Sequence, residues 1–143
     1  MGNDLYKTQI QQPPMELKAY LAEDNAILRE TLAGALQELT CVNVVGTGGT
    51  EKESLFWLEE HPLEWDLVVV DLFLSPGSGI RLVEQIHRAK ATQKIIVFSN
   101  YLSAAVRMTC ARLGVDAVFD KSTEIDSLVD YCARQCFEQT SAA

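Results

Sequence analysis

The run Leu67-Val68-Val69-Val70 is apolar on every residue and ends on a charged one, Asp71. A half-buried strand alternates apolar with polar side chains, whereas an unbroken β-branched run marks a strand covered on both faces, as in a parallel sheet. Comparable runs recur at Lys18–Ala22, Val42–Gly46, Lys94–Phe98 and Val115–Phe119. Between them, helical patterns fall near 25–39, 51–60, 79–90, 103–113 and 124–137. In the first of these, Ile27, Leu28, Leu32, Ala35, Leu36 and Leu39 share one face behind Asn25, a suitable N-cap. The third carries a weaker stripe of Ile80, Val83, Ile86 and His87, and in the last Ile125, Leu128, Val129, Cys132 and Cys136 repeat. Five β-α units in succession predict a doubly wound, five-stranded parallel α/β sheet with helices on both faces.

A chain of 143 residues with 48% hydrophobic content can build one domain on its own core. The polar stretch 1–16, with Pro13-Pro14, reads as an arm, 17–137 as the domain and 138–143 as a short tail. Twelve basic against twenty acidic residues give a net charge of -8, which a phosphate backbone would repel, so direct nucleic-acid binding is not expected. No apolar run approaches the roughly 20 residues of a membrane span, and no signal-peptide pattern opens the chain, so a soluble cytoplasmic protein is expected. Cys41, Cys110, Cys132 and Cys136 are scattered without a C-x-x-C pair and read as buried thiols rather than a disulfide framework or zinc site. Gly46–Thr50 is glycine-rich but lacks the lysine and spacing of a P-loop, and reads as a turn after the second strand. Trp57, Trp65 and Phe56 read as core or half-buried packing.

Open α/β sheets bind ligands beyond the carboxyl ends of their strands. The first strand is followed there by Glu23-Asp24, the third by Asp71 and the fifth by Lys121, while Ser99 closes the fourth. Each alone has an ordinary role as a cap, a turn residue or a solvated charge. Together they are the parts for phosphoryl transfer to a carboxylate. Clustered acids need a compensating cation, which a hard divalent metal such as Mg²⁺ provides. An ammonium and a hydroxyl can meet phosphoryl oxygens, and a carboxylate can be the nucleophile.

Read through these residues, Leu17 to Phe137 resembles the receiver domain of two-component response regulators. The matching pieces are the acidic pair in YLAEDN, the motif VVVDLFLSPGSG, the hydroxyl in IIVFSN and the lysine in VFDKS. The resemblance implies a flavodoxin-like sheet of strand order 2-1-3-4-5, with Asp71 as phosphoacceptor. It further implies Mg²⁺ on Glu23, Asp24, Asp71 and the Phe73 carbonyl, with Ser99 and Lys121 on the phosphoryl group. A sensor histidine kinase or histidine phosphotransfer protein would be the donor, and a downstream protein the target. Gly79, eight residues after Asp71, matches the family glycine before the third helix.

Four positions depart from the family pattern. Ser75 stands where proline is common, with Pro76 next, and Asn100 stands where a small residue follows the hydroxyl. Val118 replaces the aromatic that swings inward on activation; Phe119 cannot substitute, because successive strand residues face opposite sides. Ser122 replaces a proline after the lysine. About six residues follow the last helix pattern. If the chain is complete, the expected output is contact with another protein or onward relay of the phosphoryl group; if it is a piece of a longer protein, the expected output is a separate domain. Two other functions fit the fold. A fixed docking module without phosphorylation would be expected to lose some of the charged site residues, and a small-molecule phosphohydrolase would need a cap domain. A flavodoxin fails on charge, since Glu23-Asp24 would repel a flavin phosphate.

Overall fold

The computed structural model describes residues 16–142. Residues 1–15 of the expected arm lie outside the described residues. The elements are β1 (Leu17–Ala22), α1 (Ala26–Leu39), β2 (Val42–Gly48), α2 (Glu51–Glu60), β3 (Leu67–Val70), α3 (Gly79–Gln85), β4 (Lys94–Ser99), α4 (Ala104–Arg112), β5 (Ala117–Asp120) and α5 (Ile125–Ala142). All strand pairs are parallel and the order is β2-β1-β3-β4-β5, as expected. β3 therefore lies at the centre, and its four residues are all buried.

Consecutive β3 residues feed two different cores, which is why the run is apolar throughout. Leu67 and Val69 pack with Leu32, Leu36, Leu128 and Cys132 of α1 and α5. Val68 and Val70 pack with Leu58, Leu82 and Cys110 of α2, α3 and α4. The same alternation splits β5: Val118 packs on the α2–α4 side, while Phe119 faces the other core and meets Tyr131 edge-on at 5.8 Å.

The helices begin where the sequence offers a cap. Asn25, Thr50, Ser78 and Ser103 each accept an amide hydrogen bond from the third residue along, at the starts of α1 to α4. Ser99, a possible cap from sequence, is instead free of that duty, because Ser103 performs it.

Several local expectations are corrected. The third helix stops at Gln85 rather than near 90, so Ile86 and His87 do not continue its stripe. The chain instead wraps Gln93, whose side-chain oxygen accepts from the amides of Ala89 and Lys90. Arg88 meanwhile reaches the Gln93 and Gly114 carbonyls and Asp116. These partners, Gln93 nearby and Gly114 and Asp116 far along the chain, outcompete continued helix. The glycine-rich stretch is strand through Gly48 rather than a turn. A Cβ on Gly46 would meet the Trp57 and Tyr20 rings, and one on Gly48 the Tyr20 hydroxyl, so glycine lets β2 pass beneath a stacked aromatic column. Trp65 is buried and Trp57 half-buried, but Phe56 is 66% exposed.

The cysteine reading also changes. Cys41, just before β2, and Cys136 on α5 form a disulfide with Cα atoms 6.0 Å apart. Their sequence separation of 95 hides the pair from any local spacing rule. Cys110 and Cys132 are free and buried, as expected. The final helix continues to Ala142, through positions that from sequence belong to the tail. Among the described residues the cis peptide is Ser75–Pro76.

Candidate functional site

The carboxyl edge of the sheet gathers every residue singled out from the sequence. Backbone ladders carry the ends of β1, β3 and β4 into register, with the Asp71 amide donating to the Ala22 carbonyl at 3.0 Å and the Lys121 amide to Ser99 at 3.0 Å. Asp71 is 5% exposed, Glu23 5% and Ser99 fully buried, whereas Asp24 is exposed.

Asp71 is held at both oxygens. Its Oδ1 accepts from the Ser99 hydroxyl at 3.0 Å and from the Phe73 amide at 3.0 Å. Its Oδ2 receives Lys121 Nζ at 2.8 Å. Ser99 Oγ in turn accepts from the Leu72 amide at 3.3 Å, which fixes the hydroxyl and directs its proton to Asp71. The Lys121 ammonium bridges to Glu23 Oε1 at 2.5 Å, and Glu23 Oε2 accepts from the Asn25 amide at 3.0 Å.

Burial pushes the Glu23 carboxyl above its ordinary value; Lys121 and the Asn25 amide only partly offset this, and Asp71 adds to the rise. Burial alone would lower the Lys121 ammonium, but Asp71 and Glu23 outweigh it and hold it above the usual lysine range. Ligand oxygens of Glu23, Asp24 and Asp71 lie within 4.8 Å of one another. Three converging carboxylates are the donor set that a hard divalent cation takes. The Phe73 side chain is 54% exposed and meets Tyr101 edge-on at 6.0 Å.

Gly79 explains how the segment after Asp71 can fold back. Its amide donates to the Leu72 carbonyl at 3.1 Å, and a Cβ there would stand 2.1 Å from the Asp71 carbonyl oxygen. Only glycine permits that approach. Two residues that no motif pointed to also touch this region. Arg29, one turn into α1, donates to the Glu23 carbonyl at 2.9 Å. Glu51 opens α2 and reaches the loop from the side. In sequence each is an unremarkable charge on an amphipathic helix; only the fold aims them here.

Comparisons with known proteins identify the family and the fold. A family model described as the response regulator receiver domain matches residues 19–133. The response regulator protein VraR of Staphylococcus aureus (strain NCTC 8325 / PS 47) is 23% identical over 116 residues, 81% of this chain and 54% of that protein. The chain thus spans about half the length of the curated relatives it matches. A CheY-like receiver domain protein from Methanospirillum hungatei JF-1 superposes with a TM-score of 0.74 at 19% identity, covering 90% of this chain and 100% of that one. A Burkholderia pseudomallei response regulator with a phosphorylated aspartic acid, calcium ion and citrate gives 0.67 at 20% identity, covering 88% and 72%. With the family model running from within β1 past β5 and the acidic, hydroxyl and ammonium groups meeting at the strand ends, the chain belongs to the response regulator receiver domain family.

Proposed function

We propose that this receiver is a phosphorylation-controlled signalling switch in which Asp71 accepts a phosphoryl group from a histidine on a sensor kinase or phosphotransfer protein. The observation that carries this reading is the position of the Asp71 carboxylate. It is buried beneath the Ser99 hydroxyl and Lys121 ammonium, with Glu23 and Asp24 alongside.

In the transfer, one Asp71 oxygen forms the new P–O bond as the donor's P–N bond breaks. The displaced imidazole nitrogen keeps the electron pair. The phosphoryl group brings negative charge into a pocket that already holds three carboxylates, and Lys121 supplies a fixed positive charge against it. Ser99 offers its hydroxyl proton, and the Leu72 amide holds that hydroxyl in place. Glu23, Asp24, Asp71 and the Phe73 carbonyl would hold Mg²⁺, which supplies charge neutralisation for the phosphoryl oxygens when bound. The acid set fits a hard cation by its chemistry, and the Burkholderia protein, whose structure holds a phosphorylated aspartic acid and a calcium ion, supports the assignment. The domain acts in signalling rather than metabolism, and its output is an altered protein contact. We place it in the cytoplasm; among the described residues no helix is long and apolar enough to cross a membrane.

The test is intact-mass analysis after incubation with acetyl phosphate and Mg²⁺. A gain of one phosphoryl group that is absent in Asp71→Ala supports the reading. No gain in the wild-type protein would instead make the domain a fixed docking module.

A further inference from the structure

The loop from Leu72 to Ser78 carries the Phe73 carbonyl, and its two halves are secured differently. Near Asp71, the Phe73 amide and the Gly79-to-Leu72 bond hold it. Its far half, Pro76–Ser78, lies against the first residue of α2. Glu51 Oε1 accepts from the Ser78 amide at 2.8 Å and from Arg81 Nε at 3.1 Å, and Oε2 accepts from Gln85 Nε2 at 3.1 Å. The Glu51 amide itself donates to the Pro76 carbonyl at 3.4 Å. Gly77 adopts φ 107°, and a Cβ there would sit 2.5 Å from Glu51 Cβ, so loop and side chain are in direct contact.

A first-turn acid ordinarily serves its own helix by meeting the N-terminal amides. Glu53 stays at the start of its own helix, accepting from the Gly49 amide just before the Thr50 cap at 3.3 Å. Glu51 does not: its side-chain partners all come from the loop after Asp71 and from α3. Its carboxylate is mostly buried while Arg81 is largely exposed, so the pair is one-sided. The surface ion pair contributes little, and the Ser78 amide bond determines where the loop stands.

We propose that Glu51 is a positioning residue for the metal end of the site, bracing Pro76–Ser78 so that the Phe73 carbonyl is presented toward Glu23, Asp24 and Asp71. This inference rests on the functional reading above. Loss of the brace frees the far half of the loop, and the carbonyl must then be ordered at the expense of metal affinity. An outer partner of this kind is worth about tenfold in affinity.

The experiment compares wild type, Glu51→Ala and Glu51→Gln by titration with Mg²⁺ alone, followed through the Phe73 and Asp71 amide resonances. Hydrogen exchange of the Ser78 amide is measured without metal, and phosphorylation by acetyl phosphate is measured against Mg²⁺ concentration. Glu51→Ala should weaken Mg²⁺ by about tenfold, expose the Ser78 amide to exchange, and raise the Mg²⁺ needed for half-maximal rate while the rate at saturation recovers. Glu51→Gln keeps an acceptor for Ser78 and should fall between the two. If either folded variant binds Mg²⁺ as tightly as wild type, or loses rate at saturation with unchanged affinity, the proposal is overturned. If Glu51→Ala does not fold, Glu51→Gln decides alone. Wild-type protein that shows no Mg²⁺-dependent shift would overturn the underlying functional reading instead.

Discussion

Lys121 Nζ lies 2.5 Å from Glu23 Oε1, tying the residue after β5 to the residue after β1 across two intervening strands. With Asp71 2.8 Å away on its other side, the ammonium is the cation that lets two buried carboxylates coexist. Its side chain is only 11% exposed, so the attraction is screened weakly by solvent.

Removing that ammonium should therefore be costly in a metal-dependent way. Lys121→Met leaves Glu23 and Asp71 facing each other uncompensated, at an expected loss of about 3 kcal/mol in EDTA. Mg²⁺ should restore part of it, so the variant gains more thermal stability from Mg²⁺ than wild type does. Equal gains would place the divalent site away from Glu23 and Asp71. Phosphorylation of the variant should be severely slowed even with metal, since Mg²⁺ does not replace the contact to the phosphoryl oxygen.

Gly79→Ala should cost about 3 kcal/mol or more by urea denaturation, because its Cβ would stand 2.1 Å from a backbone oxygen and 2.5 Å from Leu72 Cα. Backbone just after the central strand, tied to Ala22 through the Asp71 amide, cannot step aside as the end of a flexible side chain can. A loss below about 1 kcal/mol would show that the return over Asp71 is looser than described.

The Glu51 brace has a defined pH signature. Burial raises its carboxyl, but the Ser78 amide, Gln85 and Arg81 outweigh this and hold it below the ordinary 4.5. A depressed carboxyl contributes stability that is present above 4.5 and lost as pH falls through the lower folded value. Wild type should thus be more stable than Glu51→Gln at pH 7, with the gap closing below pH 4.5. A gap that is constant with pH would mean that packing rather than charge accounts for it.

Tyr101 is 84% exposed beside the site and adopts φ 56°, a left-handed conformation that disfavours a side chain. On the proposed function, its bulk with that of Asn100 is expected to hinder water approaching a phosphoryl group on Asp71, since Tyr101 packs against Phe73, two residues after Asp71. Tyr101→Gly should speed self-dephosphorylation severalfold. Its stability should move by less than about 1 kcal/mol, because relief of the left-handed strain offsets the added freedom of glycine. With Val118 in place of an aromatic lever, the change on activation should fall in the segment after Ser99 and in α4. Structures with and without beryllofluoride test this; a still 99–106 segment with a new Phe119 rotamer would contradict it.

Thiol labelling should separate the four cysteines. Burial pushes the Cys132 thiol up to about 12 and also raises Cys110, so neither should label quickly in the native protein at pH 8. Unfolding without reductant should expose these two, and reductant should release Cys41 and Cys136 as well. Four thiols labelled without reductant would mean that the Cys41–Cys136 bond is not formed.

What the sequence determined by itself was the sheet and the identity of the groups at its edge. Leu67–Val70 reads as a doubly covered strand because burial on both faces requires apolar residues in succession, a strictly local requirement. Glu23, Asp24, Asp71, Ser99 and Lys121 were legible because each follows or closes such a strand, and parallel topology sends all those ends to one edge. Tertiary structure alone decided the rest. Helix α3 ends at Gln85 because Gln93, Gly114 and Asp116 compete for its continuation. Cys41 meets Cys136 because α5 returns across the face that α1 covers. Glu51 turns from its own helix to the loop after Asp71 because α2 and α3 are neighbours on that side of the sheet. The side-chain partners of Glu51 lie 27 or more residues away along the chain. Local propensity carries no term for them, and only packing brings them within reach.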